Sequence, residues 1–256
     1  MLVPIVMVVV VVWVASLYAA AGPLRVHPGN PRWMADGSGR AIYLAGSHTW
    51  ANRQERGLAG HTPDFDYEGY LGFLDRHGHN FMRLWAWEHA CWMQFAGPED
   101  RVRYAPLPYE RTGPGTARDG AKKFDVERFN EDYFQRLRRR VALAAEKDIY
   151  VGVMLFQGFS IEQKGTEEVD PGLGDPWQAH PFHPDNNVNG IDGDPDGDRR
   201  GREVHTLAIP EVTRLQERYV RKTIEALGGL ENVAWEISKE SHEEALEWQD
   251  HVAGFI

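Results

Sequence analysis

Four short apolar runs, each leading into a stretch of helical periodicity, constrain this chain more than any other feature. The runs are residues 41–45, 81–85, 150–156 and 232–237. After the first, Tyr67, Tyr70, Leu71 and Leu74 recur at helical spacing, with Asp66 placed to cap the helix and Gly78 to end it. Residues 130–147 carry Tyr133, Phe134, Leu137, Val141 and Ala144 on one face. Pro210 opens a third helix that turns Val212, Leu215, Tyr219 and Ala226 inward before Gly228 and Gly229. A fourth helix begins after Ser241. Strands alternating with amphipathic helices imply parallel β-α-β units, because a parallel connection must cross back over the sheet.

Polar and aromatic residues follow each run: His48 and Trp50, then residues 83–88, then Gln157, then Lys239 and Glu240. Functional side chains at the carboxyl ends of successive strands are the pattern of a (β/α)8 barrel. No Gly-x-Gly-x-x-Gly or Walker sequence follows any run, so a nucleotide-binding sheet is disfavoured. The expected fold is therefore α/β, a (β/α)8 TIM barrel with about the first four strand-helix units present. Residues 41–256 hold those units and read as the front half of a longer protein. Residues 22–40 read as an N-terminal hairpin turning at Pro28-Gly29-Asn30.

Residues 1–21 contain no charged side chain and are almost continuously apolar from Ile5 to Val14. Ala19-Ala20-Ala21 offers the small residues of a signal peptidase site, which points to a secreted or periplasmic protein. An uncleaved membrane anchor is the alternative, since about 20 apolar residues span a bilayer. The formal net charge of -10, without a basic stripe, excludes nucleic acid as the expected partner. One cysteine, Cys91, excludes an internal disulfide framework and a thiolate zinc cluster. It sits between Ala90 and Trp92 and reads as a packed small residue.

Three strings carry a family resemblance: Tyr43-Leu-Ala-Gly-Ser-His-Thr-Trp50, Asn80-Phe-Met-Arg-Leu-Trp85 and Asn232-Val-Ala-Trp-Glu-Ile-Ser-Lys-Glu240. They resemble the cellulase-like (clan A) retaining glycoside hydrolases, in the bacterial branch with a Gly-Ser-His-Thr-Trp first strand. The resemblance implies that Glu240, ending the fourth strand, is the general acid/base. It implies that Arg83, ending the second, holds a nucleophilic carboxylate contributed by a seventh strand. Lys239 stands where that clan has Asn, a residue that donates to the sugar hydroxyl beside the reacting carbon.

The chemistry agrees with the residue types. Retaining hydrolysis needs two carboxyl groups about 5 to 5.5 Å apart, one a nucleophile and one a proton donor. Lys239 could donate to a hydroxyl, but its charge beside Glu240 favours carboxylate over acid. Glu236 shares the strand parity of Glu240 and reads as a buried residue paired with an arginine or lysine. Trp85, Trp87, Glu88 and His89 after the second strand, with His48 and Trp50 after the first, are expected substrate contacts together with Lys239. Indoles stack on the C-H faces of sugars, and carboxylates and imidazoles bind hydroxyls; a packed loop core would use the same tryptophans. His180 and His183 have a metal-like spacing, yet a proline follows each of them and no helix hosts them.

Asp192, Asp194, Asp196 and Glu203 match the spacing D-x-D-x-D-G-x5-E of a calcium loop, with Asp198 adding a backbone carbonyl. A structural calcium ion is expected there, and no cofactor is expected for catalysis. The expected function is thus an exported glycoside hydrolase acting on O-glycosidic bonds of a polysaccharide or oligosaccharide by a retaining two-carboxylate mechanism. A carbohydrate-binding pseudoenzyme, in which Lys239 has replaced the catalytic pattern, is the alternative.

Overall fold

The computed structural model of the chain describes residues 22–50, 52–58, 64–92, 101–166, 168–169 and 174–256. Residues 1–21, expected to be an export signal or anchor, lie outside the described residues. Among the described residues, no helix is long and apolar enough to cross a membrane.

The chain begins with β1 (Arg25–Val26), β2 (Met34–Ala35), β3 (Ala41–Ile42), β4 (Gly46–Ser47), β5 (Glu55–Leu58), α1 (Tyr67–Arg76) and β6 (Phe81–Leu84). Four strands follow before the second helix: β7 (Cys91–Trp92), β8 (Val102–Ala105), β9 (Tyr109–Thr116) and β10 (Lys122–Phe129). The remainder is α2 (Glu131–Ala145), β11 (Tyr150–Gln157), α3 (Pro210–Leu227), β12 (Val233–Lys239) and α4 (Leu246–Phe255).

The central sheet has the order β12-β11-β6-β4, and every pairing in it is parallel. Strand order follows chain order, as in a singly wound barrel and unlike the reversal at the centre of a doubly wound sheet. All eight residues of β11 are buried, as expected for a parallel strand covered on both faces. Leu71, Leu74, Met82, Leu84, Leu137, Val141, Val151 and Val153 form one cluster between the sheet and the first two helices. Phe134, Phe156, Tyr219, Val220 and Trp248 form another, joining α2, α3 and α4 to the far end of β11.

The helices bury the faces expected of them. The Asp66 carboxylate accepts from the Gly69 amide at 2.9 Å, and α1 buries Tyr67, Leu71 and Leu74. Asn130 caps α2, whose buried side includes Tyr133, Phe134, Leu137, Val141 and Ala144. Pro210 starts α3, where its missing N–H costs nothing.

The apolar run 41–45, expected as the first parallel strand, divides instead. Ala41–Ile42 pairs with β2 and closes a small antiparallel sheet with the hairpin. Asn80 is the physical reason. Its amide donates to the Tyr43 carbonyl at 3.0 Å and accepts from the Ala45 amide at 2.8 Å, doing for residues 43–45 what a neighbouring strand would do. Pairing with β6 starts at Gly46, where a Cβ would lie 1.5 Å from the Phe81 carbonyl oxygen.

Two inserts follow the strand ends. Strands β5, β8 and β7 make an antiparallel sheet, and β9 and β10 a hairpin. The long connection from β11 to α3 is held by Asn187. Its side-chain NH2 donates to the carbonyls of Pro181, His183 and Ile191, and its carbonyl accepts from the Ile191 amide. Trp177, fully buried, packs on Gly201 so closely that a Cβ there would sit 2.6 Å from the indole.

The approach of β4 to β6 predicts that Gly46→Ala destabilises the protein by about 3 kcal/mol, through forced separation of two paired backbones. Urea unfolding of the full-length protein measures it, and an unchanged midpoint would place the first parallel strand elsewhere.

Candidate active site

Parallel pairing brings the carboxyl ends of β4, β6, β11 and β12 to one side of the sheet. Gln157 is in register with Lys239, and Ser47 with Met82. Just beyond β6 the chain has no ladder partner among the described residues, and two side-chain amides replace one. Asn52 donates to the Arg83 carbonyl and accepts from the Trp85 amide at 2.8 Å. Gln54 donates to the Trp87 carbonyl at 2.9 Å and accepts from the Trp87 amide at 2.7 Å. These amides hold residues 83–87 extended and fix where Trp85 and Trp87 lie.

Trp85 is the hub. The His48 ring stacks on it at 5.1 Å and 11°, the Arg83 guanidinium lies 4.9 Å from its ring, and the Lys239 ammonium 4.6 Å. Three strand ends therefore meet on one indole. Arg83 grips Glu236 through two hydrogen bonds, Nε donating to Oε2 at 2.7 Å and Nη2 to Oε1. Lys239 forms an ion pair with Glu240. Burial, followed by the charges of Arg83 and Lys239, lowers the pKa of His48 and favours its neutral ring.

Glu240 has an unusual backbone. Its φ is +56°, a left-handed conformation shared by Asp148 and Arg199 among the non-glycine residues described. The close pass of β11 and β12 explains the bend: a Cβ at Gly158 would lie 2.2 Å from the Glu240 carbonyl oxygen. Ser241 and Ser238 close it with a hydroxyl hydrogen bond of 2.7 Å.

The predicted aromatic contacts divide by exposure. Trp50 keeps 44% of its surface, and His48 is exposed. Trp85 and Trp87 are 2% and 4% exposed, and Trp87 spends its face on Tyr104 at 4.7 Å. Their burial makes them the packed support of the site in this structure. His89 is wholly buried, with Nδ1 2.8 Å from the Ser160 hydroxyl. Burial pushes its pKa down to about 3, so it stays neutral.

Glu88 is engaged internally. Its carboxylate meets Nε2 of His180 at 3.4 Å and Nε2 of His205 at 3.1 Å, and accepts from the Gln157 amide. Burial alone would raise its pKa; the His205 charge and the hydrogen bonds from both histidines outweigh that and hold the carboxyl well below its ordinary range. Sequence periodicity gives no sign of this cluster, because His180 and His205 come from the irregular β11–α3 connection. The metal-like spacing of His180 and His183 has another use: each Nδ1 accepts a backbone amide two residues on, from Phe182 and Asp185. Cys91 is buried, which raises its thiol pKa to about 11 and makes it a packing residue.

In the acidic loop, Asp194, Asp196 and Glu203 bring one carboxylate oxygen each to within 4.8 Å of one another. Asp194 Oδ1 and Glu203 Oε2 are buried without a hydrogen-bond partner, which suits a hard cation. Burial is the first cause, and the neighbouring carboxylates a further one, by which the pKa values of Asp194 and Glu203 are raised. Asp192 and Asp198 lie outside this trio; their side chains accept the amides of Asp194 and Arg200, as Asp196 accepts that of Asp198.

Residues 98–244 match the profile of a protein family described as Domain of unknown function (DUF6298). No curated protein matches the chain. A solved glycoside hydrolase family 5 structure from Bacteroides vulgatus ATCC 8482 superposes with a TM-score of 0.51 at 14% identity, covering 92% of this chain and 37% of that one. A second protein of that organism, named as a candidate glycoside hydrolase, gives 0.50 at 15% identity, covering 92% and 36%. This chain thus spans little more than a third of the length of either structure. The likeness is one of fold.

The buried histidines set an acid limit on stability. A histidine whose folded pKa is depressed lets the unfolded chain take protons first, so stability falls as pH drops below the ordinary value near 6.5. His89 alone gives a slope of about 1.4 kcal/mol per pH unit from pH 6 to 4. Urea unfolding at stepped pH is expected to show a slope at least that steep, since His180 and His183 are depressed as well, and His89→Gln to flatten it by that amount. An unchanged slope would mean that His89 titrates normally in the fold.

Proposed function

The chain belongs to the family described as Domain of unknown function (DUF6298), and we propose that the whole protein is an exported retaining glycoside hydrolase. Its substrate class is a polysaccharide or oligosaccharide with O-glycosidic bonds. The four parallel strand-helix units are the first half of its (β/α)8 barrel, Glu240 is the general acid/base, and Arg83 orders the carboxylates beneath it. The apolar residues 1–21 support export. The observation that carries this reading is the meeting of three strand ends at Trp85, with Glu240 joined to it through Lys239. The left-handed backbone of Glu240 adds to it, since such strain persists where a side chain must be aimed.

The second carboxylate comes from elsewhere in the whole protein. Glu236 is not the nucleophile, because both of its oxygens are taken up by the Arg83 guanidinium. Glu236 instead keeps Arg83 in place, and a further strand supplies the nucleophile. His48 and Trp50 contact the sugar, with Trp85 and Trp87 packed behind them.

The Lys239–Glu240 ion pair favours a second reading, a carbohydrate-binding protein without turnover, because proton donation by Glu240 requires that pair to open. Kinetics separate the two. Glu240→Ala in the full-length protein is expected to cost about 100-fold or more on glycosides with poor leaving groups and far less on activated aryl glycosides. Azide is expected to restore turnover by attacking the glycosyl-enzyme intermediate in place of base-activated water. Equal, modest losses on both substrate types would leave Glu240 a binding residue.

The trio of Asp194, Asp196 and Glu203 would hold a structural calcium ion, its two orphaned oxygens serving as ligands. Calcium at 100 times its dissociation constant would then stabilise the protein by about 2.7 kcal/mol. Calorimetry of the full-length protein is expected to show a melting temperature higher by about 5 °C with calcium than with chelator. Superimposable scans would remove the ion from the account.

A further inference from the structure

We propose that His242 is a positioning residue: it pins the bend that carries Glu240 to the β11–α3 connection, and Glu240 delivers its proton efficiently only while that latch is closed. The inference rests on the hydrolase reading and adds to it a residue that acts through Glu240.

The bend needs holding. A glutamate at φ +56° is strained, and such a conformation persists only where its surroundings over-determine it. Ahead of the bend, Lys239 is fixed by its register with Gln157. Within it, the Ser241–Ser238 hydroxyl bond and the close backbone pass at Gly158 limit the turn. Behind it stands His242, whose side chain is 7% exposed. Its Nε2 donates to the Arg202 carbonyl at 3.1 Å, and its Nδ1 meets Glu244 Oε2 at 2.8 Å. Both ring nitrogens are engaged, which fixes the rotation of the ring as well as its place.

Arg202 is a rigid anchor. It opens the short helical turn Arg202–His205, directly after Gly201, which packs on the buried Trp177 indole. The Val204 carbonyl accepts from the Gln216 side chain at 2.8 Å. The His205 ring stacks on Trp248 at 4.4 Å and 10°, and its Nε2 meets Glu88 at 3.1 Å. The Arg202 side chain reaches back as well, Nε donating to Glu162 Oε2 at 2.8 Å and Nη1 lying 3.8 Å from Glu244 Oε2. Glu88 lies after β6 and Glu162 after β11, so the latch refers the position of Glu240 to two other strand ends. Proton transfer demands hydrogen-bond reach, and a displacement of about 1 Å can cost about 100-fold. That sensitivity gives a kinetic role to a contact made two residues from Glu240.

The test uses the full-length protein and two glycoside sets, one with poor leaving groups and one with activated aryl leaving groups. Urea unfolding of every variant runs alongside. His242→Ala is expected to lower kcat about tenfold or more on the first set and less than about threefold on the second, the split expected of Glu240→Ala, with KM little changed. His242→Leu, which fills much of the same space without either hydrogen bond, is expected to match it, so that a folding failure of one variant leaves the other to decide. His242→Gln, whose side-chain NH2 can reach the Arg202 carbonyl, is expected to recover most of the loss. In a Glu240→Ala background His242→Ala is expected to add nothing further, because a residue that acts through Glu240 then has nothing left to position. Equal losses on both sets, full activity of both His242→Ala and His242→Leu, or a full additional loss in the Glu240→Ala background would overturn the inference and leave the hydrolase reading standing. Absence of the split in Glu240→Ala itself would overturn the hydrolase reading and the role of His242 with it.

Discussion

Parallel pairing sends every strand end of the central sheet to one side, and the rest of the chain is arranged around that consequence. The returns from helix to strand are short: residues 77–80, 146–149 and 228–232. Three excursions from strand to helix are long, residues 48–66, 85–130 and 158–209, and the fourth, residues 240–245, is short. The inserted sheet, the hairpin and the Asn187-centred loop therefore all lie after a strand's carboxyl end. A scaffold that keeps one end tight and elaborates the other separates stability from function, because loop changes at the open end leave the ladder intact. His48, Trp85, Gln157 and Lys239 are neighbours for that reason, although nothing in their sequence spacing brings them together.

The interior beneath this face holds several buried charges, and three of them are offset in different ways. Glu88 has two imidazoles and an amide. Arg140 lies on Glu55 at 2.9 Å and over the Tyr67 ring at 4.9 Å. Arg53, 1% exposed, has no ion-pair partner among the described residues; it donates to the Met154 carbonyl and to the Tyr219 hydroxyl at 2.9 Å, with the Tyr133 ring 4.8 Å away. Removing one member of such a set strands the other, which costs about 3 to 5 kcal/mol for a buried ion pair. These groups tie α2, α3 and the β11–α3 connection to the sheet with directions that apolar packing alone would not impose.

Much of the frame is legible in the sequence because burial there is periodic. The helical faces at 67–74, 130–147 and 210–227 and the apolar runs at 81–85 and 150–156 follow from spacing alone. The run at 41–45 does not, since a single distant side chain, Asn80, decides which neighbour those backbone groups bond. The strands between residues 91 and 129 are harder to read. Their burial alternates in short, polar stretches such as Lys122–Phe129, where Phe124 and Val126 are fully buried. At the site, the residue types that follow each strand are legible and their contacts are not. Trp85 and Trp50 look alike in the sequence, yet one is enclosed by a histidine and two cations while the other faces out. Glu88 reads as a hydroxyl-binding carboxylate until His180 and His205 are placed against it.

Two glutamates on one strand show how environment assigns a role. Glu236 lies within the ladder of β12, opposite Met154, and meets a guanidinium whose fork matches its two oxygens. Each oxygen is bound, so the carboxylate is fixed in place. Glu240 lies one residue beyond the ladder, in a left-handed bend, with 46% of its side chain exposed and a flexible lysine as its partner. A fork cannot release one oxygen without breaking its geometry, whereas a point charge on a four-carbon stem can swing away at little cost. The same side chain is thus locked at one position and exchangeable four residues later.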